Sequence, residues 1–298
     1  MAIMGRILVG ISAWADQQLV KSRLFYPSDA GTPAKRLRYY AERFDLAEID
    51  ASYHYLPTRN NLKLWLENTP PGFTFNIKAL SLFTQHPTPF GALPRTIREK
   101  LNITQRGNIY LHHLPSEVVA ELYQAFKQVI SPLSSAGRLG AVLFQFPPWF
   151  VPQEKNFEHI TKCKEEVSPY AMAVEFRVGR WFDDENRERT LDFLRQQQIS
   201  LVCVDEPLGL RSSVPAISEI TAPLGIVRFH GRNKANWEKK GVTPSEKSNY
   251  LYREEELKEW LPRIRYMAEQ SHELHIVFKN KFQDFPVRNA LQMKVLLE

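Results

Sequence analysis

Short apolar runs bounded by turn residues recur along this chain. Eight of them have the length and β-branched content of strands: Arg6–Ser12, Leu46–Ser52, Phe73–Ala79, Leu139–Phe146, Ala171–Arg177, Ser200–Glu206, Leu224–Gly231 and Glu273–Asn280. Segments of helical period separate most of them. Pro33–Phe44 carries a proline in its first turn, where a helix tolerates it. Asn60–Asn68, Ser116–Ile130, Glu154–Val167 and Glu185–Gln198 follow, then Arg253–Ser271 with a kink expected at Pro262, and Pro286–Leu297. Pro207–Pro223 has the weakest pattern and is expected to be loop or a short helix.

Eightfold strand–helix alternation predicts a parallel α/β sheet that closes into a TIM (β/α)8-type barrel, a single domain over residues 1–298. An open doubly wound sheet would normally place a Gly-rich phosphate turn after its first strand. Here Gly10 is followed by Ile11-Ser12-Ala13-Trp14, and no G-x-G-x-x-G occurs. One segment breaks the rhythm. Residues 81–115, after the third strand, hold Pro87, Pro89, Pro94 and Pro115 with Arg95, Arg98, Lys100 and Arg106, and read as a long structureless insertion. Rising from the face where barrels place their chemistry, it is expected to be either a lid or a surface excursion.

Composition narrows the class. With 298 residues, 43% hydrophobic and 24% charged, the chain can bury a sizeable core and is neither disordered nor collagen-like. No apolar run is long enough to span a membrane, and the N-terminal residues lack the layout of a signal peptide. Two cysteines, Cys163 and Cys203, exclude a disulfide scaffold or a four-cysteine zinc site. A reduced, cytoplasmic protein without membrane contact is the expectation. The net charge of +6 is a mild hint of anionic partners.

The polar residues fall at the carboxyl ends of the strands, where a barrel carries its site. Glu48 and Asp50 share a face with Tyr53 just beyond, and Asn76 and Lys78 share the next. Gln145 ends the fourth strand, Glu175 and Arg177 the fifth, and Asp205 and Glu206 the sixth. Arg228, His230 and Arg232 have one parity in the seventh, while Lys279 and Asn280 end the eighth. Charged side chains are rarely buried unpaired, so such a set is more economically assigned to one polar mouth than to solvent. His230, Glu175 and Asp50 are the candidates for proton transfer. Arg177, Arg228, Arg232 and Lys78 suit an anionic group, and Tyr53, Gln145, Asp205, Asn280 and Trp14 complete the binding set. No cofactor is predicted. A divalent cation on the carboxylates and His230 is the alternative occupant, but no compact ligand motif is present and the surrounding cations oppose it. G-x-S-x-G is absent, and neither cysteine sits where a nucleophile would. His112, His113, His272 and His275 read as surface or packing residues.

These strand ends also carry a family likeness. Gly10 to Trp14, Phe25-Tyr26-Pro27, Glu48-Ile49-Asp50 with Tyr53, Gln145-Phe146-Pro147-Pro148, Glu175-Phe176-Arg177, Asp205, Val227 to Arg232, Tyr252, Asn280 and Asn289-Ala290 occur in order along the whole chain. In these residues the sequence resembles the DUF72 (YecE-like) family of uncharacterised TIM-barrel proteins. The resemblance implies a barrel with a shared polar mouth and supplies no reaction. Two positions depart from the family pattern: Lys279 stands where the first of two asparagines is common, and Thr84 and His86 are separated by Gln85. Three functions stay open. One is an enzyme acting on a small anionic, phosphorylated or sugar-like substrate by acid/base chemistry, as a hydrolase, lyase or isomerase. The second is a nucleic-acid-binding or metal-dependent phosphodiester-processing barrel, using the Arg95–Arg106 stretch and the aromatics Trp14, Tyr53 and Trp237. The third is a non-catalytic ligand-binding protein. Oligomeric state is not legible.

Overall fold

The computed structural model describes residues 4–101 and 107–298. Its eight principal strands are β1 (Arg6–Ser12), β2 (Leu46–Ile49), β3 (Thr74–Lys78), β4 (Leu139–Gln145), β5 (Met172–Glu175), β6 (Ser200–Asp205), β7 (Leu224–Phe229) and β8 (Glu273–Phe278). Each pairs in parallel with its neighbours in chain order, and β8 returns to β1, closing a TIM-type barrel. Every predicted strand is present, most of them shortened by one to three residues at the carboxyl end.

Two close approaches explain motif residues near β1. A Cβ on Gly10 would sit 1.9 Å from the Leu46 carbonyl oxygen, so only glycine lets β1 and β2 approach as they do. Tyr40, from the helix Pro33–Ala41, donates its hydroxyl to that same oxygen at 2.7 Å and accepts from the Ile11 amide at 2.8 Å. Between β3 and β4 the register slips by one residue, and the Asn76 side chain fills the gap by accepting from the Ala141 amide at 3.1 Å. His275 lies beside it, with Nδ1 3.0 Å from Asn76 Oδ1 and Nε2 2.7 Å from Glu273. This histidine is a fully buried packing residue inside the barrel.

The predicted helices occur in the predicted order with three corrections, and the short helices Gln17–Ser22, Lys234–Trp237 and Pro244–Lys247 are additional to them. Ser116–Ser135 runs five residues past its predicted end and carries Pro132 inside its last turns. The predicted Arg253–Ser271 helix is two helices, Glu254–Lys258 and Leu261–Gln270, and Pro262 lies in the first turn of the second rather than at a kink. There its missing N–H costs nothing. The segment 81–115 is not structureless. It contains the turn Ser81–Thr84, a two-stranded ribbon of Thr88–Pro89 with Asn108–Ile109, and the helix Arg95–Lys100. Phe83, Leu93, Ile97 and Ile109 bury their side chains, which anchors the segment to the main core. Residue Arg106, part of the predicted basic stretch, lies outside the described residues. No helix among the described residues is long and apolar enough to cross a membrane.

Candidate active site at the barrel mouth

Alternation along each strand decides which polar side chains enter the barrel. Inward positions on β2, β5 and β7 bring Glu48, Glu175 and Arg228 together, all fully buried. The Arg228 guanidinium donates to Glu48 Oε1 at 2.5 Å and, through its other terminal nitrogen, to Glu175 Oε2. This carboxylate–guanidinium–carboxylate triad crosses the interior and engages both terminal nitrogens of Arg228. A ligand therefore meets Arg228 as part of the wall.

Glu175 is the hub. Its Oε1 accepts from Gln145 Nε2 at 2.5 Å and from Arg177 Nη1 at 3.2 Å. His230 Nε2 lies 3.1 Å from the same oxygen, off the direction that a hydrogen bond requires. Burial alone would raise the Glu175 carboxyl, but the guanidiniums of Arg228 and Arg177 outweigh it and hold it well below the usual range. Burial pushes His230 the other way for its type, well below an ordinary imidazole, despite Glu175 beside it. The ring is neutral at physiological pH.

Arg177 also donates to Glu206 Oε2 at 2.7 Å, while Glu206 Oε1 accepts from the Val214 amide at 2.8 Å. Burial drives the Glu206 carboxyl up to about 7, against the pull of Arg177 and the Val214 amide. One guanidinium thus joins two carboxylates of opposite character. Trp237 covers this side, with Arg177 4.9 Å from its ring. On the other side Asp50 receives Lys78 at 3.2 Å and Lys281 at 2.5 Å. Burial would raise Asp50, and Lys78, Lys281 and Lys279 overcome it and hold it well below its usual value. Lys78 also lies 4.4 Å from the Tyr53 ring centroid, and Tyr53 leads to His86 and the exposed Trp149 through edge-to-face contacts of 5.4 and 5.8 Å. Burial, reinforced by Lys78, lowers His86 to about 4.

Of the predicted residues, the mouth gathers His230, Glu175, Asp50, Arg177, Arg228, Lys78, Tyr53 and Gln145. The other four lie elsewhere. Asp205 has outward parity on β6, where it accepts from Tyr252 at 2.7 Å, Trp260 at 2.6 Å and Arg232 at 2.7 Å. Arg232 does not continue the parity of Arg228 and His230, because Gly231 takes a left-handed φ of +88° and turns the chain outward. It then meets Asp205 and Glu259, and with Asp205, Glu206 and Lys234 it lines a neighbouring cavity of about 430 Å³. Asn280 also faces outward, donating to Tyr250 O at 2.8 Å and Asn289 Oδ1 at 3.0 Å. Trp14 packs against Trp65 and Phe75 in the layer between β1 and the helices.

Three mouth residues were absent from the predicted set: Glu206, Lys279 and Lys281. Asp205 and Glu206 are adjacent acids at one strand end, and the alternation Val202-Val204-Glu206 was the signal that the second faces inward. Lys279 shares the inward parity of Val277, which packs inside the barrel with Leu8 and Leu46. Among the described residues no three His, Cys, Asp or Glu side chains are arranged to hold a metal ion. Two basic residues of the insertion are engaged by acids: Arg95 meets Glu99 at 2.6 Å and Lys100 meets Glu121 at 2.7 Å. Cys163 and Cys203 are buried free thiols, each pushed up to about 12 by burial, so neither is a nucleophile at neutral pH. A groove of about 750 Å³ between helices Glu154–Val167 and Arg187–Gln196 contains none of the candidate residues.

Comparison with known proteins gives a consistent picture. The profile of the family described as protein of unknown function DUF72 matches residues 8–298. The UPF0759 protein YunF of Bacillus subtilis is 33% identical, over 98% of this chain and 95% of its own. A DUF72 family crystal structure from Thermotoga maritima is 30% identical with a TM-score of 0.76, covering 98% of this chain and 99% of that one. Another, from Enterococcus faecalis, is 24% identical with a TM-score of 0.79, covering 98% and 95%, and is similar in fold.

Proposed function

This chain belongs to the DUF72 family, and on that footing we propose that it is an enzyme which binds a small anionic, phosphorylated or sugar-like substrate and moves protons on it at the barrel mouth. The observation that carries this reading is the pair of carboxylates on Arg177. Glu175 is held ionised, while Glu206, 2.7 Å from the same guanidinium nitrogen, is pushed up to about 7. Two carboxyls driven apart by their surroundings form an acid/base set. His230 adds a neutral imidazole beside Glu175, and Asp50 is an ionised acceptor on the opposite wall. Lys78 and Lys281 supply positive charge for an anionic group there, and Arg177 is the partly exposed guanidinium. Two buried free thiols fit a reducing, cytoplasmic setting.

The test is a thermal-shift panel of sugar phosphates, nucleotides, short DNA and RNA, and divalent ions. A ligand at about 100 times its Kd adds ~2.7 kcal/mol of stability, which a melt resolves readily. We expect a small phosphorylated compound to raise Tm, and the gain to vanish in Arg177→Ala while surviving in Arg95→Ala. In the assay that the hit defines, His230→Ala is expected to melt cooperatively and lose turnover. Stabilisation by nucleic acid with a metal alone would transfer the assignment to a phosphodiester-processing barrel. Full turnover in His230→Ala would remove the proton-transfer role.

A further inference from the structure

The turn after β4 holds one residue out of an otherwise buried run. Phe146, Pro147 and Phe150 are buried, while Trp149 between them is 59% exposed. The turn is anchored on both sides. The Phe150 amide donates to Pro147 O at 2.9 Å, the Phe150 ring stacks on Phe146 at 4.0 Å, and Trp181 Nε1 donates to Phe150 O at 2.6 Å. An indole held in water by a fixed backbone leaves a large apolar surface uncovered beside the mouth. Among the described residues its one ring neighbour is His86, met at 66°, so no ring lies parallel to it.

His86 is fixed in turn, with its amide on Ser81 O at 3.1 Å and its Nδ1 2.9 Å from Thr84 Oγ1. The row continues to Tyr53 at 5.4 Å and ends on Lys78, 4.4 Å from the Tyr53 centroid. There Lys78 and the partly exposed Lys281 share the single carboxylate of Asp50, which leaves positive charge over. Burial and Lys78 keep His86 neutral, so the wall between its two ends is aromatic and uncharged. One end suits an anion and the other a flat apolar face.

We propose that the substrate is a nucleoside 5′-phosphate whose phosphate lies against Lys78 and Lys281 and whose base stacks on Trp149. The inference rests on the anionic-substrate reading above and narrows it. A base suits this wall better than a second sugar ring does. Sugar rings are fixed on an aromatic face by polar side chains that take their hydroxyls. Here Asp50 is taken by two lysines and Gln145 by Glu175, and the row between offers aromatic rings alone. Every base, by contrast, presents a π face, and stacking on an aromatic side chain needs no hydrogen-bonding partner.

A nucleoside 5′-monophosphate and ribose 5-phosphate share one sugar phosphate and differ by the base alone. Isothermal titration of the full-length protein with the common ribonucleoside 5′-monophosphates, ribose 5-phosphate, glucose 6-phosphate and a short single strand of the best nucleotide separates the contributions. At least one mononucleotide is expected to bind about tenfold or more tighter than ribose 5-phosphate. Trp149→Ala, a change at an exposed side chain, is expected to keep the wild-type Tm, abolish that preference and leave ribose 5-phosphate unaffected. Trp149→Phe is expected to retain most of it. A mononucleotide preference that survives Trp149→Ala, or no preference in the wild type, overturns the proposal. Glucose 6-phosphate binding as tightly as the best mononucleotide would put a sugar ring on the wall, and a much tighter single strand would put a nucleic acid there; either overturns it. If another small anion stabilises the protein and no nucleotide does, the base falls and the anion site stands. No stabilisation by any anion removes both.

Discussion

Arg228 illustrates how far a single side chain's role depends on its partners. As a free guanidinium it would be an anion clamp, but held between Glu48 and Glu175 it neutralises two carboxylates buried in the barrel. Removing one member of such a set leaves the others charged and unpaired, at a cost of ~3–5 kcal/mol. Arg228→Met is therefore expected to lower stability by about that much in urea unfolding, before any effect on ligand can be read. Titration behaviour separates the other residues. His230 and His86 stay neutral in the native state while the unfolded chain protonates them below about 6.5, so each withdraws stability as pH falls through that value. Glu206 acts in the opposite sense: between its ordinary 4.5 and about 7 the native state keeps a proton that the unfolded chain has lost, so stability falls as pH rises. Glu175, depressed, contributes stability above 4.5 and loses it below. A shallow dependence from pH 7 to 4.5 and a steep loss below is the expected profile. Glu206→Gln should make the upper range steeper, because it deletes the opposing contribution. Unfolding free energies across pH for the two proteins check this, and identical slopes would refute the assignment of Glu206.

At the level of elements, the ends of strands matter more than their middles. β7 ends at Phe229, His230 still points inward, and Gly231 then turns the chain so that Arg232 leaves the mouth. A Cβ at Gly231 would lie 2.8 Å from Tyr250 Cβ in addition to being forced to positive φ. Gly231→Ala is expected to cost about 1–3 kcal/mol, and to displace His230, so that ligand affinity falls along with Tm. At Gly10 the clash is with backbone, 1.9 Å from Leu46 O, so the strands themselves must separate. Gly10→Ala is expected to destabilise by at least as much as ordinary overpacking, about 1–3 kcal/mol, measured by denaturant midpoint. Lys279→Met should do the reverse and hold or raise Tm, since among the described residues Asp50 pairs with Lys78 and Lys281 and no acid pairs with Lys279. A marked fall in Tm would mean that Lys279 has an ionic partner.

Over the whole molecule, the closed barrel converts eight local strand ends into one site. Eight apolar runs of strand length, alternating with amphipathic helices, were sufficient to specify the parallel (β/α)8 arrangement, because period, length and connection size are local properties of the chain. Most of the mouth was legible for the same reason: inward parity and a strand-end position placed Glu175, Arg177, Arg228, His230, Asp50 and Lys78 together. The adjacent pairs Asp205-Glu206 and Lys279-Asn280 were assigned to the wrong member, although the alternation Val202-Val204-Glu206 and the inward Val277 pointed to Glu206 and Lys279. Parity itself failed at Arg232, where one left-handed glycine resets the direction of the chain. The insertion was misread as structureless because its prolines hid the apolar positions Leu93, Ile97 and Ile109, which only the neighbouring helices make useful. What the sequence by itself determined is the order of elements, their closure and the stock of charged groups at one end. Tertiary structure alone decided which of those charges cancel. Arg228 is consumed by Glu48 and Glu175, Asp50 is taken by two lysines, and Lys279 is left over, because pairing depends on distances of a few ångströms between strands far apart in the chain.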